Sequence, residues 1–275
     1  MAIDLIRAKT LAALPDFERP RGFGLGAIPL NPDSRLSDLR SLPGVRAAFA
    51  SGIPAAANLL DFVKGVYNQG TEDSCVAYSL AALQSVSEQE SFGRWITFDA
   101  EECYVACGGF GSNGILAVDA LNWEERAGFR DTVSTQRYPI QTYAFASPIN
   151  DAGVDIVKGA IASRHPCVLA MLLPSDFNDQ FGKNGDCVSD VVTNGYHQVC
   201  VVGYTQDTAM ILNSWGGGWG TNGIGSVKWE FLQKQEQQNF VYAYTVSELE
   251  QPGLMPFFLE EMQGAGAAGL APRLK

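Results

Sequence analysis

Three short segments, far apart in the chain, hold the residue types of a thiol-nucleophile site. They are Asn68-Gln69-Gly70-Thr71-Glu72-Asp73-Ser74-Cys75, Gly195-Tyr196-His197-Gln198-Val199 and Leu212-Asn213-Ser214-Trp215-Gly216. A cysteine attacks as its thiolate, and a neighbouring imidazole can hold it in that state. The imidazole needs a third group to fix its ring, and an asparagine amide oxygen can do so. The glutamine six residues before the cysteine can donate to the oxyanion formed when the thiolate adds to a carbonyl. Cys75 as nucleophile, His197 as base, Asn213 as orienting group and Gln69 as oxyanion donor together make an acyl-transfer site. Each has a plainer reading alone: a buried thiol, a core histidine, a turn residue, a surface amide. Their co-occurrence in this order favours chemistry. His165, the other of the two histidines, precedes Pro166 and has no motif around it.

These residues resemble those of the papain family of cysteine peptidases, which writes Gln-Gly-x-Cys-Gly-Ser-Cys-Trp around its nucleophile. The chain keeps Gln69, Gly70, Ser74 and Cys75 at that spacing. His197 and Asn213 follow Cys75 by 122 and 138 residues (197 − 75 and 213 − 75), against about 130–150 in the family. Asn213-Ser214-Trp215-Gly216, then Gly218-Trp219-Gly220 and Asn222-Gly223, looks like the family's asparagine segment. The resemblance implies an α+β, papain-like two-lobed fold: a helical lobe, a β-barrel-like antiparallel lobe and an active-site cleft between them. It implies a cysteine-type endopeptidase acting on a peptide or protein substrate, with no metal or organic cofactor. It also implies that Trp215 shields the Asn–His hydrogen bond and that a glycine pair bonds the substrate backbone. Gly108-Gly109 and Asn113-Gly114 both resemble that pair; Gly108 and Gly109, with Trp215, are the substrate-side candidates. Four positions depart from the pattern. Glu72 stands where the family has a disulfide cysteine, Asp73 for a glycine, Val76 for the tryptophan after the nucleophile, and Gln198 for a small residue. Carboxylates beside the cysteine oppose thiolate formation by like-charge repulsion.

The elements around these segments can position them. Val76, Leu80 and Leu83 fall at i, i+4 and i+7, predicting a helix from Cys75 to Gln89 with Asp73 or Ser74 as its cap. Cys75 then sits in the first turn, where the helix dipole favours thiolate. Leu116, Ala120 and Trp123 predict a second helix over 114–127, stopped by Gly128. A third covers 151–164 and ends before His165-Pro166. From there the pattern turns to strands, at 167–173, at 197–204 and 208–213 around the turn Thr205-Gln206-Asp207, then at 225–231 and 240–246. The nucleophile comes from the helical half and the base from the strand half.

At 275 residues the chain holds one two-lobed domain, 61–250, with extensions. Its formal net charge of −11 argues against nucleic acid or an anionic membrane as partner. No run reaches the ~18 apolar residues of a membrane span. The start, Met1 to Arg7, lacks the pattern of a secretory signal. A reducing setting, cytoplasmic or within a virus or phage particle, is expected, with free thiols at all six cysteines, and Cys103-x-x-x-Cys107 is poor metal spacing. Residues 1–60, punctuated by Pro15, Pro20, Pro29, Pro32, Pro43 and Pro54, read as an N-terminal arm or propeptide-like extension. Short helical stretches are expected near 5–14 and 35–41. Residues 251–275 read as a tail, with apolar Leu254, Met255, Phe257, Phe258 and Leu259 before a Gly/Ala-rich end. Arm and tail are expected to dock onto neighbouring subunits of a larger assembly, such as a virus or phage particle. The alternative function is accordingly a structural subunit that keeps a papain-like fold with weak or no activity. A cell-wall amidopeptidase or transglutaminase-like acyltransferase is a further class, without the paired Gln69 and Asn213-Ser214-Trp215 context.

Overall fold

Helix-period and strand-period hydrophobic patterns occupy different halves of the sequence, and the structure keeps them on opposite sides of the Cys75 segment. The computed structural model describes residues 26–28, 37–39, 43–111, 113–146, 151–235 and 240–246. In chain order its elements begin with β1 (Ala27–Ile28), β2 (Ser37–Asp38), α1 (Pro43–Ser51) and β3 (Ala57–Asn58). Next come α2 (Cys75–Phe92), α3 (Ala100–Ala106), β4 (Ile115–Leu116), α4 (Ala117–Arg126), β5 (Phe129–Arg130) and β6 (Arg137–Tyr138). The strand-rich half holds β7 (Ile140–Ala146), α5 (Asp151–Ala162), β8 (Cys167–Pro174), β9 (Asp186–Cys187) and β10 (Val192–Tyr204). It closes with β11 (Thr208–Leu212), β12 (Ile224–Lys228), α6 (Trp229–Lys234) and β13 (Phe240–Val246).

The helix that begins at Cys75 runs to Phe92, where Gly93 turns left-handed at φ 67° and returns its N–H to the Gln89 carbonyl. Such a residue ends a helix without a Cβ clash. The predicted stripe of Val76, Leu80 and Leu83 is buried, yet so is nearly every other residue from Cys75 to Glu88. The reason is position: α2 lies between α3 and α4 on one side and β8, β10 and β13 on the other. Leu80 and Leu83 are wholly buried, each contributing about 2 kcal/mol of apolar burial. Polar groups on this helix are tied down locally. Ser85 Oγ, for one, bonds the carbonyls of Ala81 and Ile96.

One nine-stranded sheet runs in the order β2-β7-β13-β8-β10-β11-β12-β9, with β3 beside β10. Its pairs are antiparallel except β2–β7 and β9–β12. The two edge strands do not meet, so the expected barrel-like lobe is an open, curled half-barrel. The long β10 carries register shifts at Val192/Tyr196 and at Val201/Gly203. Such irregularities bend a strand, and this one bends across the helix that bears Cys75.

Four expectations change. Residues 115–116 form β4 ahead of α4, because Gly114 lies against Gly26 in an extended pairing. Residues 229–231 belong to α6, where Trp229 and Leu232 share a buried face at helical spacing; short apolar runs are ambiguous in period. Within 35–41, residues 37–38 are strand β2, paired with β7. Helix α1 was not foreseen, and with Leu39, Val45 and Leu59 all buried the described part of 1–60 joins the common core. The stretches 5–14 and 251–275 lie outside the described residues.

Candidate active site

Cys75 is the first residue of α2, and its Sγ accepts the main-chain N–H of Gln198 at 3.4 Å. That contact ties the nucleophile of the helical half to β10 of the strand half. The residue before Gln198 is His197, so the sulfur lies beside the strand segment that carries the imidazole. Ser74 occupies the N-cap position without a side-chain capping bond. Of the two expected caps, Ser74 therefore does not take up the first-turn N–H groups, which supply the positive end of the helix dipole beside the sulfur.

His197 is wholly buried. Its Nε2–H donates to Asn213 Oδ1 at 2.8 Å, and the same oxygen accepts the Ser214 N–H at 2.9 Å. The ring is thereby held in one tautomer, with Nδ1 the remaining nitrogen, and Nδ1 has no partner among the described residues. Trp215 covers the ring at 4.9 Å between centroids, and Phe177 meets it edge-on at 5.7 Å. Phe177 also packs on Trp215 and Trp219, and its carbonyl accepts the Trp219 indole N–H. Trp215, only 2% exposed, is a lid on the His197–Asn213 pair; its surface is spent on aromatic neighbours. Phe177 escaped the sequence reading because nothing in its local pattern separates it from an ordinary core aromatic.

Gln69 is fixed at both ends of its amide. Its Oε1 accepts from Ser214 Oγ at 2.6 Å, and its Nε2 donates to the Glu72 carbonyl at 2.8 Å. Ser214, next to Asn213, thus ties the glutamine to the histidine's orienting group.

The two glycine pairs separate. Gly108 and Gly109 form the turn after α3, bonding back to Val105 and Tyr104, with Gly109 packed on the Tyr104 ring. Asn113-Gly114 leads into β4, where Ile115 donates its N–H to the Gly26 carbonyl at 3.1 Å. Gly26 in turn donates to the Tyr196 carbonyl at 3.4 Å, the residue before His197. Residues 26–28 therefore lie across the site as an extended strand, bonded to β4 on one side and to β10 on the other. Ala27 and Ile28 pair in register with Ile115 and Leu116. Nothing in the composition of this stretch signalled such a placement.

Burial sets the charge state of this covered arrangement. It pushes the Cys75 thiol up to about 12; the backbone groups of Gln198 and Ala27 act against the rise and Asp73 adds to it. It pushes His197 down to about 4, against the hydrogen bond to Asn213. With residues 26–28 in place, both groups are neutral at pH 7. His165, also lowered by burial, sits against Gly44 at the end of α5 and takes no part. Among the described residues no cysteine forms a disulfide, and no cluster of three His, Cys, Asp or Glu side chains could hold a metal.

No protein-family profile matches the chain. In sequence it is 27% identical over 186 residues to a thiol protease aleurain-like protein of Arabidopsis thaliana, covering 58% of this chain. It spans about half, 51%, of the length of that curated relative. In structure it resembles xylellain, a cysteine protease from Xylella fastidiosa, with a TM-score of 0.68 at 18% identity. That likeness covers 85% of this chain and 100% of the other. The fold is that of the papain-like cysteine proteases. The papain-like fold is shared, at a TM-score of 0.62 and 15% identity, with procathepsin B S9 of Trypanosoma congolense, over 82% of this chain and 87% of that one. It is shared also with the cysteine protease CMS1MS2 of Carica candamarcensis, at a TM-score of 0.58 and 19% identity, covering 70% and 99% respectively.

Proposed function

We propose that the chain is a cysteine peptidase that hydrolyses peptide bonds through Cys75, His197 and Asn213. One observation carries the reading: Cys75 Sγ takes the N–H of the residue adjoining His197, while Asn213 holds the far nitrogen of that ring. Nδ1 is left to exchange a proton with the sulfur. Once water reaches the pair, proton transfer gives thiolate and imidazolium, each stabilising the other. The thiolate adds to the scissile carbonyl, and the oxyanion is held by the Cys75 main-chain N–H and the Gln69 amide. His197 protonates the leaving amine, then activates water to hydrolyse the thioester. A peptide substrate is supported by residues 26–28, an extended backbone that fits between Ile115 and Tyr196.

The same segment implies that the chain as it stands is latent, since it covers the nucleophile. A structural subunit without activity is the weaker reading, because the sulfur lies against the strand that carries His197 and an asparagine amide already holds the ring. Cys75→Ala tests the proposal. The variant folds with an unchanged melting temperature and loses thiol-dependent cleavage of an unfolded protein substrate; hydrolysis equal to the parent's would reject the mechanism.

A further inference from the structure

His197 and Gln198 are successive residues of a strand, so their side chains leave on opposite faces. His197 turns to Asn213 and the aromatic lid, whereas Gln198 turns to α2. There its Nε2 donates to Ser79 Oγ at 2.9 Å, and Ser79 Oγ donates to the Val76 carbonyl at 3.0 Å. Ser79 is four residues after Cys75, on the same face of the helix. Gln198 therefore grips that face twice, through its main-chain N–H on the sulfur and through its amide one turn further on. The amide is wholly buried, and its Oε1 has no partner among the described residues. A seam needing only to be filled is better served by an apolar side chain of equal size.

We propose that Gln198 is a positioning residue, anchored on Ser79 so that its main-chain N–H stays aimed at Cys75 Sγ. A hydrogen bond to a charged acceptor is stronger than one to a neutral acceptor, so this N–H favours thiolate over thiol. The inference rests on the peptidase reading and assigns a second group that tunes the same sulfur.

Thiolate ultraviolet absorbance isolates the one thiol when titrated as the difference between each full-length chain and its Cys75→Ala counterpart. Both carry Gly26→Ala, whose added Cβ collides with Asp73 and drives residues 26–28 off the sulfur. Gln198→Met keeps the volume and removes the amide, and Ser79→Ala removes its anchor. Each raises the Cys75 midpoint by about one pH unit, the order expected for one lost charge-assisted bond. Each also lowers kcat about tenfold with KM held. The double variant goes no further than either single one, because both break one contact. Midpoints unchanged in both single variants overturn the role, whatever happens to the melting temperature, and leave the peptidase reading standing. Failure of the peptidase reading has its own signature, undiminished hydrolysis by the Cys75→Ala chain.

Discussion

Gly26 presses its α carbon against the main chain of Asp73: a Cβ placed on Gly26 would lie 1.9 Å from the Asp73 carbonyl oxygen. Gly26 also sits at φ 125°, which side chains rarely adopt. On the far side, a Cβ on Gly114 would meet the Gly26 carbonyl oxygen at the same 1.9 Å. Residues 26–28 thus fit the cleft only because both backbones are bare at the crossing.

Gly26→Ala therefore expels the segment without touching the catalytic residues. Overpacking of this kind costs about 1–3 kcal/mol, enough to raise the uncovered population about tenfold or more. Alkylation of Cys75, followed by mass spectrometry of its peptide, accelerates by that factor in Gly26→Ala. An unchanged rate would mean that residues 26–28 do not control access.

Acid should leave the same equilibrium nearly untouched between pH about 7 and about 5. Covered, Cys75 keeps its proton because burial pushes its pKa up to about 12, and His197 stays neutral because burial pushes its own down to about 4. Uncovered, that one proton sits on the imidazole, so both forms hold the same number of protons and opening has no pH slope there. Alkylation of Cys75 in the full-length chain should therefore stay nearly constant across that range, where an ordinary thiol loses about tenfold in reactivity per pH unit. A rate that falls about tenfold per unit would mean that His197 does not take the thiol's proton.

Asn213 Oδ1 holds two donors, the His197 ring and the Ser214 N–H. Asn213→Ala frees the ring to rotate and should lower kcat by about ten- to a hundredfold while KM moves little. Phe177→Ala tests the lid from beneath. It opens a cavity under Trp215 and His197, costs about 3–4 kcal/mol of stability, and lets water onto the Asn–His bond. Denaturant midpoints and steady-state kinetics on the two variants separate orientation from shielding.

The main site residues were legible because chemistry restricts their types. A thiol, an imidazole and an amide in that order, each in its own local motif, leave few alternatives. Helix α2 was legible from spacing, β8 from its unbroken apolar run, and the pair β10–β11 from the turn Thr205-Gln206-Asp207 between them. What escaped was set by long-range packing. Phe177 acquires its role from Trp215 and Trp219, some forty residues away in sequence. Residues 26–28 become a strand only against Ile115 and Leu116, and their own composition offers no period. Gly108-Gly109 and Asn113-Gly114 looked equivalent on paper. Only the pairing of Gly26 with Ile115 separates them.

The far end of α2 carries a titration that reports on the fold itself. Glu88 is nearly buried, and Arg94 reaches it with two nitrogens, at 2.8 and 2.9 Å. Arg94 also rests over the rings of Phe92 and Tyr138. Burial nevertheless raises the Glu88 carboxyl above its ordinary value, the arginine opposing it. A raised carboxyl pKa means stability that is present in acid and declines as pH climbs through the folded value. Arg94→Met strips the counter-charge, so the raised pKa climbs further and the charged carboxylate is left in the core. The variant should lose about 1–3 kcal/mol at pH near 7 and much less near pH ~4, where the carboxyl is protonated in both states. Adding Glu88→Gln should recover part of the loss at neutral pH. Denaturant unfolding of the parent, single and double variants at the two pH values measures this. A loss from Arg94→Met that is equal at both would show that the arginine acts there by packing on the rings, with its charge irrelevant.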